Sequence, residues 1–243
     1  MISLGGCIGG RGMDKILVIT GTNKGIGHRI AEDCRAHGYV IVGLDRTIDK
    51  KLPWQQIECD ISSVTGINVA WQRVIKEHGV PWALVNNAGT YQAKRWDEQS
   101  PEDFDMTVCV NARAPFVLSQ LFGKALIQAK QGGVIVNVAS VSATIGSIDV
   151  AYAASKAALL MVSKSMAKAL APHGIRVLSV SPGPVETDMA ARIPEERKKS
   201  YMEGIPLKRF AEPEEISNVV RFLLTSEASY MTGTDVKVDG GLI

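Results

Sequence analysis

A tyrosine and a lysine stand four positions apart in "DVAYAASKAALLM", at Tyr152 and Lys156, within a run of small and apolar residues. On one helix this spacing puts both side chains on the same face, one turn apart. A nearby ammonium favours the phenolate and lowers a phenol from its ordinary pKa of about 10, so such a tyrosine serves as a proton donor or acceptor nearer neutrality. The commoner fate of such a pair is to decorate a partly exposed helix. Ser140, twelve positions before Tyr152, adds context because it closes the apolar run "VIVNVAS". A hydroxyl there can donate a hydrogen bond to a carbonyl oxygen while the tyrosine protonates it. Ser142 is an alternative for the same task. Asn111 in "CVNARAPF" interrupts a helical pattern. Its amide can hold a water that links Lys156 to solvent, or it can mark a helix kink or cap.

A second chemistry-bearing stretch is "TGTNKGIG", with Gly21, Gly25 and Gly27 directly after an apolar run and opening a helical one. Glycines at such a turn let the backbone approach a pyrophosphate, and the helix amino terminus presents unpaired N–H groups to it. The spacing is G-x-x-x-G-x-G and not G-x-G-x-x-G, and no G-K-[ST] ending of a P-loop follows. Alone, the segment is equally a tight turn. The next apolar run ends in "VIVGLDRT", which places Asp45 about two dozen residues beyond Gly21, where an acidic side chain takes the adenosine ribose hydroxyls. A carboxylate there repels the extra phosphate of NADP and favours NAD. Lys24 and Arg46 are the two cations placed to accommodate NADP instead. Asp60 in "CDIS" either accepts from an adenine amino group or caps a turn. In "NNAG", Asn86 to Gly89, amide and small side chains suit both a sheet edge and a cofactor contact. In "SPGPVETDM", prolines and a glycine stiffen a loop that offers Thr187 to a carboxamide.

Elements that would bring these segments together are visible as an alternation. The runs "KILVIT", "YVIVGL", "WALVNN", "GVIVNVAS", "IRVLSVS" and "DVKVD" read as strands, several of them continuously apolar, as in parallel strands covered on both faces. Helical patterns lie between them. Repeated strand and helix on one chain imply right-handed crossovers and a doubly wound parallel sheet. Ligands of such sheets bind beyond the carboxyl ends of the strands, so the chemistry should sit just after those runs, where the glycine turn, Asp45 and Ser140 fall.

Composition narrows the field. The 243 residues, 46% of them hydrophobic, suit one α/β domain over 14–243, after a flexible leader over 1–13 in which Met13 is an alternative start. With 27 basic and 25 acidic residues scattered along the chain, nothing points to nucleic acid or an anionic membrane. Cys7, Cys34, Cys59 and Cys109 are too widely spaced for a metal site and read as reduced thiols of a cytoplasmic protein. No metal is expected. No apolar run approaches the roughly 20 residues that span a bilayer.

Together, T-G-x-x-x-G-I-G, Asp45, Asp60, N-N-A-G, Asn111, Ser140, Y-x-x-x-K, Pro182-Gly183 and Thr187 resemble, in order and spacing, the short-chain dehydrogenase/reductase family. The likeness runs from Lys15 to Gly241 and is to the single-domain branch. It implies a Rossmann-like, three-layer α/β/α fold with seven parallel strands. It also implies a tetrad of Asn111, Ser140, Tyr152 and Lys156, with Tyr152 as general acid/base, Ser140 orienting the carbonyl or alcohol, and Asn111 supporting a relay water. Lys156 would hold the nicotinamide ribose. Hydride would pass between the nicotinamide and a secondary alcohol or ketone carbon.

On the same basis the cofactor contacts are Gly21, Asn23, Lys24, Gly25, Ile26 and Gly27 in the first turn, then Asp45, Arg46, Asp60 and Ile61, then Asn87, Ala88 and Gly89. Tyr152, Lys156, Pro182, Gly183, Val185 and Thr187 complete the set. The tail from Gly204 resembles 3-oxoacyl-carrier-protein reductases, which usually take NADP, and sugar-alcohol and dihydrodiol dehydrogenases. A homotetramer is implied too, pairing through the helix around residues 113–130, the Tyr152 helix and the last strand.

The main expectation is thus an NAD(P)(H)-dependent oxidoreductase for a small-molecule alcohol or ketone. The alternatives are an NADPH-dependent 3-oxoacyl-carrier-protein reductase and a non-catalytic dinucleotide-binding sensor or scaffold. Tyr91, Trp96, Ile145 and Met189 are candidates for an apolar substrate pocket, Lys94 and Arg95 for meeting an anion, and residues 189–210 for a lid.

Overall fold

In a computed structural model, which describes residues 15–193 and 195–243, seven parallel strands form one sheet in the order β3-β2-β1-β4-β5-β6-β7. They are β1 (Lys15–Thr20), β2 (Tyr39–Asp45), β3 (Gln55–Glu58), β4 (Ala83–Asn86), β5 (Gly133–Val138), β6 (Ile175–Pro182) and β7 (Asp235–Val238). Residues of the central strands β4 and β5 are all buried, which is why their sequences are apolar without alternation. At the edge, β3 reads "QQIE" and buries Ile57 alone, so it has no apolar run to betray it. The reversal of strand order between β1 and β4 opens the crevice at the carboxyl ends of those strands. The leader over 1–13, Met13 and Cys7 lie outside the described residues.

Helices cover both faces. On one, α1 (Gly25–Ala36) and α8 (Pro213–Leu224) pack together over Leu17, Ile19, Val85 and Val136. On the other, α2 (Val64–His78), α4 (Ala114–Ala129) and α6 (Val150–Leu170) enclose Val18, Leu84, Ile135 and Phe122. Three further helices are α3 (Pro101–Val108), the short α5 (Ser142–Ile145) and α7 (Glu195–Gly204). The alternation has one exception. Between β2 and β3 no helix forms, and a loop instead turns Trp54 inward until it is 9% exposed.

Helix starts carry their own signals. Ser63 caps α2 by accepting from the Gly66 N–H at 3.1 Å, and Ser100 and Asp103 form a reciprocal capping box on α3. Asp149 caps α6 through the Tyr152 N–H at 2.9 Å, which fixes where the helix of Tyr152 and Lys156 begins. Between α3 and α4 the chain widens into a π-helical turn, Cys109–Arg113. Such turns interrupt regular α-helix hydrogen bonding and recur at functional sites. Asn111 sits in that turn, so the kink reading describes its backbone.

Candidate active site

At the nucleotide end the glycine turn is shaped by contacts no side chain could share. Gly21 and Gly25 adopt φ of +76° and +62°, and a Cβ on Gly27 would overlap the Gly21 carbonyl oxygen and Asn87 Nδ2. Asn87 Nδ2 donates to the Thr20 and Gly21 carbonyls at 3.0 and 3.2 Å, while Asn87 N and Ala88 N both donate to Thr20 Oγ1. The amide nitrogen of Asn87 therefore braces the turn, the structural role that "NNAG" also suited. Gly25 lies beside Thr187, whose Cγ2 would be 3.5 Å from a Cβ on it, so the segment after β6 closes against this turn. Ile26 and Val185 pack into the core cluster on the α1 side and Ile61 into the other. Gly183 allows close passage of Asp239, whose Cα would be 2.9 Å from a Cβ there.

Asp45 departs from expectation. It ends β2 as anticipated, but it is only 3% exposed and both carboxylate oxygens are occupied. Oδ1 accepts from the Thr22 N–H at 2.6 Å, and Oδ2 accepts from Thr22 Oγ1 at 2.6 Å and Gln56 Nε2 at 2.7 Å. Gln56 Nε2 also donates to Asn23 Oδ1 at 2.6 Å, and Trp54 Nε1 donates to Thr22 Oγ1 at 3.0 Å. Buried polar groups need such partners, so Asp45 holds the glycine turn to β2 and β3 before any ribose is considered. The sequence reading missed Thr22, Trp54 and Gln56, whose partners come from three separate segments. Lys24 is likewise engaged, in an ion pair with Asp188 at 2.8 Å. Arg46 remains exposed, and its charge contributes to the lowered pKa of Asp60. The larger cause there is Ser62, whose Oγ and N–H donate to Asp60 Oδ1 at 2.8 and 3.0 Å in a turn cap.

At the chemical end the four residues of the expected tetrad do converge. Ser140 is 8% exposed and stands near enough to the Tyr152 phenol for its hydroxyl to favour the phenolate. Its Oγ also accepts from the Ser142 N–H at 3.1 Å, so Ser142 supports Ser140 through its backbone. Lys156 Nζ donates to the Val138 carbonyl at 2.8 Å and lies 5.8 Å from the centre of the Tyr152 ring. A Cβ on Gly89 would stand 3.3 Å from Asn111 Oδ1 and 3.5 Å from Lys156 Nζ, which fixes how closely the three approach.

Two expectations are corrected here. The phenol is not lowered: desolvation raises it to about 12, the Ser140 hydroxyl opposes the rise, and Tyr91, Asp149 and Tyr201 add to it. Lys156 is not among the groups that offset this rise; burial lowers its own pKa to about 8, and one of its three N–H donors goes to Val138. The Asn111 amide is not open to water either. Its Nδ2 donates to the Thr90 carbonyl and Ser155 Oγ at 2.9 and 3.0 Å, and its Oδ1 accepts from the Thr90 N–H at 2.8 Å. It ties the π turn to the segment after β4 and to α6.

Of the substrate candidates, Tyr91 is 8% exposed and meets the Tyr152 ring edge-on at 5.1 Å. Ile145 and Met189 are exposed, and Trp96 is 72% exposed, too open to line a closed pocket. Lys94 pairs with Asp103 at 2.6 Å and Arg95 with Asp97 at 3.1 Å, so neither is an uncompensated cation awaiting an anion. Cys34 and Cys59 are buried, with thiols pushed up to about 12 and about 11 by desolvation. Among the described residues no cluster of three or more His, Cys, Asp or Glu is gathered for a metal ion, and no helix is long and apolar enough to cross a membrane.

Comparison with known proteins agrees with this layout. Residues 21–243 match a family model described as "Enoyl-(Acyl carrier protein) reductase". A 3-oxoacyl-[acyl-carrier-protein] reductase of Aquifex aeolicus is 36% identical over 94% of this chain and 97% of its own. L-xylulose reductase of Caenorhabditis elegans is 34% identical over 94% of this chain and 95% of its own. Among solved structures, a 4-hydroxyisoleucine dehydrogenase complexed with NADH superimposes with a TM-score of 0.89 at 28% identity, covering 94% of this chain and 98% of the other. A 3-ketoacyl-(acyl-carrier-protein) reductase of Brucella melitensis complexed with NADH gives 0.86 at 27%, covering 95% of this chain and 99% of the other. The chain belongs to the short-chain dehydrogenase/reductase family of oxidoreductases.

Proposed function

We propose that this oxidoreductase interconverts a secondary alcohol and a ketone, with a nicotinamide dinucleotide as its cofactor and Tyr152 as the proton donor and acceptor. The observation that carries the reading is the meeting of Ser140, Tyr152 and Lys156 at one end of a crevice whose other end is a glycine turn built for close backbone approach. The residues fit such a cofactor. The turn is held by Asn87 and Thr20, and α1 opens there with no side chain capping its first N–H groups, which leaves them for a pyrophosphate.

The cofactor, when bound, supplies or takes the hydride. Ser140 Oγ orients the substrate oxygen. In reduction Tyr152 passes its phenolic proton to that oxygen, and in oxidation its phenolate takes the proton back. Lys156 has donors beyond the one used on Val138 with which to hold the nicotinamide ribose. Asn111 acts as a positioning residue that holds Thr90 and Ser155 around them. We place Gly21, Gly25 and Gly27 at the pyrophosphate, Asp60 and Ile61 beside the adenine, and Gly89 and Thr187 toward the nicotinamide. Assembly as a homotetramer belongs to the same reading, by family likeness.

NAD(H) is the favoured form. Asp45 ends β2 with its carboxylate against the glycine turn, where its charge would repel the extra phosphate of NADP, and Lys24 is paired with Asp188. Ribose hydroxyls would exchange with the Gln56 or Thr22 hydrogen bonds on Asp45. Fluorescence titration with NADH and NADPH tests this, and a strong NADPH preference overturns it. A second reading, reduction of a 3-oxoacyl thioester on a carrier protein, is favoured by the 36% identity to the Aquifex enzyme. A screen of secondary alcohols, polyols, cyclic diols and oxoacyl thioesters with both cofactors separates the two.

Tyr152→Phe is expected to lower turnover by about 10²-fold or more while leaving cofactor affinity nearly unchanged. Preserved turnover in that variant removes the proton-transfer role.

A further inference from the structure

Asp149 lies three residues before Tyr152, is fully buried, and carries more hydrogen bonds than a helix cap requires. Oδ1 accepts from the Tyr152 N–H at 2.9 Å and from the Gln99 side chain, and Oδ2 accepts from the Gln92 and Ala93 N–H groups at 3.0 and 3.1 Å. Gln99 returns to the same helix, its Oε1 accepting from the Ala151 N–H at 3.2 Å. Ala93 is held at φ +60°, a left-handed conformation that a non-glycine residue keeps only when its surroundings enforce it. The segment gathered in this way carries Tyr91, whose ring meets the edge of Tyr152 at 5.1 Å. One carboxylate therefore joins the start of α6 to the segment between β4 and α3, and no lysine, arginine or histidine among the described residues pairs with it.

We propose that Asp149 is a positioning residue for the reaction, its buried carboxylate clamping the Gln92–Gln99 segment and Tyr91 against the Tyr152 helix and placing a negative charge at the start of that helix. The proposal rests on the acid–base reading of Tyr152. The groups facing that phenol are Ser140 after β5, Tyr91 before α3, Tyr201 on α7, and Asp149 and Lys156 on α6 itself. Of these Asp149 alone is a carboxylate, and it is among the groups that raise the phenol. Removing its charge makes the phenolate easier to form.

Two variants separate clamp from charge. Asp149→Asn loses the charge and two of the acceptor sites. Gln99→Ala loosens the segment and keeps the charge. For alcohol oxidation we expect turnover to fall roughly tenfold in both, as a misplaced reacting group would make it. The acid limb of the kcat/KM profile should move to lower pH by roughly half a unit or more in Asp149→Asn and stay in place in Gln99→Ala. Should Asp149→Asn fail to fold by near-UV circular dichroism, Asp149→Ser, which keeps an N-cap oxygen without the charge, gives the same comparison. An unmoved limb in the uncharged variant overturns the proposal, as does an equal movement in both. Tyr152→Phe run alongside keeps the two ideas apart. Turnover surviving in it refutes the acid–base reading, whereas an inactive Tyr152→Phe beside an unmoved Asp149→Asn limb refutes the role of Asp149 alone.

Discussion

The two ends of the crevice are built on opposite electrostatic terms. Around the glycine turn, Asp45, Thr22, Gln56, Asn23 and Trp54 satisfy one another, so the buried carboxylate has a donor at each oxygen. Around Tyr152, burial works against the groups that the chemistry needs. The phenol is pushed up to about 12, and the ammonium of Lys156, 4% exposed and bonded to the Val138 carbonyl, is pushed down to about 8. The difference is what separates a frame from a reaction centre. A frame gains by satisfying every polar atom, whereas an acid–base site keeps titratable groups under strain so that they respond to substrate and cofactor.

Lys156→Met should break the comparison most visibly. We expect turnover to fall below detection, because the variant loses both the ribose donor and the charge beside the phenol. Stability at pH 7 should nonetheless rise, by about 1–3 kcal/mol, since a charged group is replaced by an apolar one of similar length where burial disfavours the charge. The pH dependence carries the sign. With the lysine at about 8 in the native state and 10.5 unfolded, the unfolded chain binds more protons between those values. Wild-type stability therefore gains relative to the variant as pH rises from about 8 to 10.5. Urea titrations of both proteins at pH 7 and pH 10 measure it, and a gap that widens with pH contradicts the assignment.

Gln56→Leu makes the same kind of change at the other end and should give the opposite sign. It removes the donor on Asp45 Oδ2 and Asn23 Oδ1, together with the acceptor of the Asp49 N–H at 2.8 Å. A loss of about 1–2 kcal/mol is expected, because partners are left unpaired. A stabilised Gln56→Leu protein would show that the nucleotide end, too, is held under strain.

These contrasts also explain what was legible beforehand. The sheet could be read from continuously apolar runs because β4 and β5 are covered on both faces, whereas β3, a polar edge, gave no such signal. Ser140, Tyr152 and Lys156 could be read because each is placed by a local element, a strand end or one helix face. Gln56 and Asp149 could not be read as partners, because what they bind lies 11 and 57 residues away, at Asp45 and Gln92. Asp149 did carry the local mark of a helix cap, an acidic residue three before the first bonded N–H. The phenol went the wrong way because spacing reports that two residues share a face and says nothing of how deeply that face is buried.

The smallest expected effect belongs to the ion pair that joins the glycine turn to the segment after β6. Lys24 and Asp188 are 2.8 Å apart, but their side chains are 69% and 71% exposed, so the pair contributes little to stability. Asp188→Ala should leave the urea midpoint nearly unchanged. It should instead act on cofactor choice, since it releases the Lys24 charge beside the glycine turn. NADPH affinity is expected to rise by a few-fold at low salt, and the gain should shrink as ionic strength shortens the Debye length. Titration of both cofactors at two salt concentrations checks this. An unchanged NADPH affinity would mean that Lys24 stands too far from the ribose to matter, leaving Arg46 as the cation that sets cofactor preference at this end.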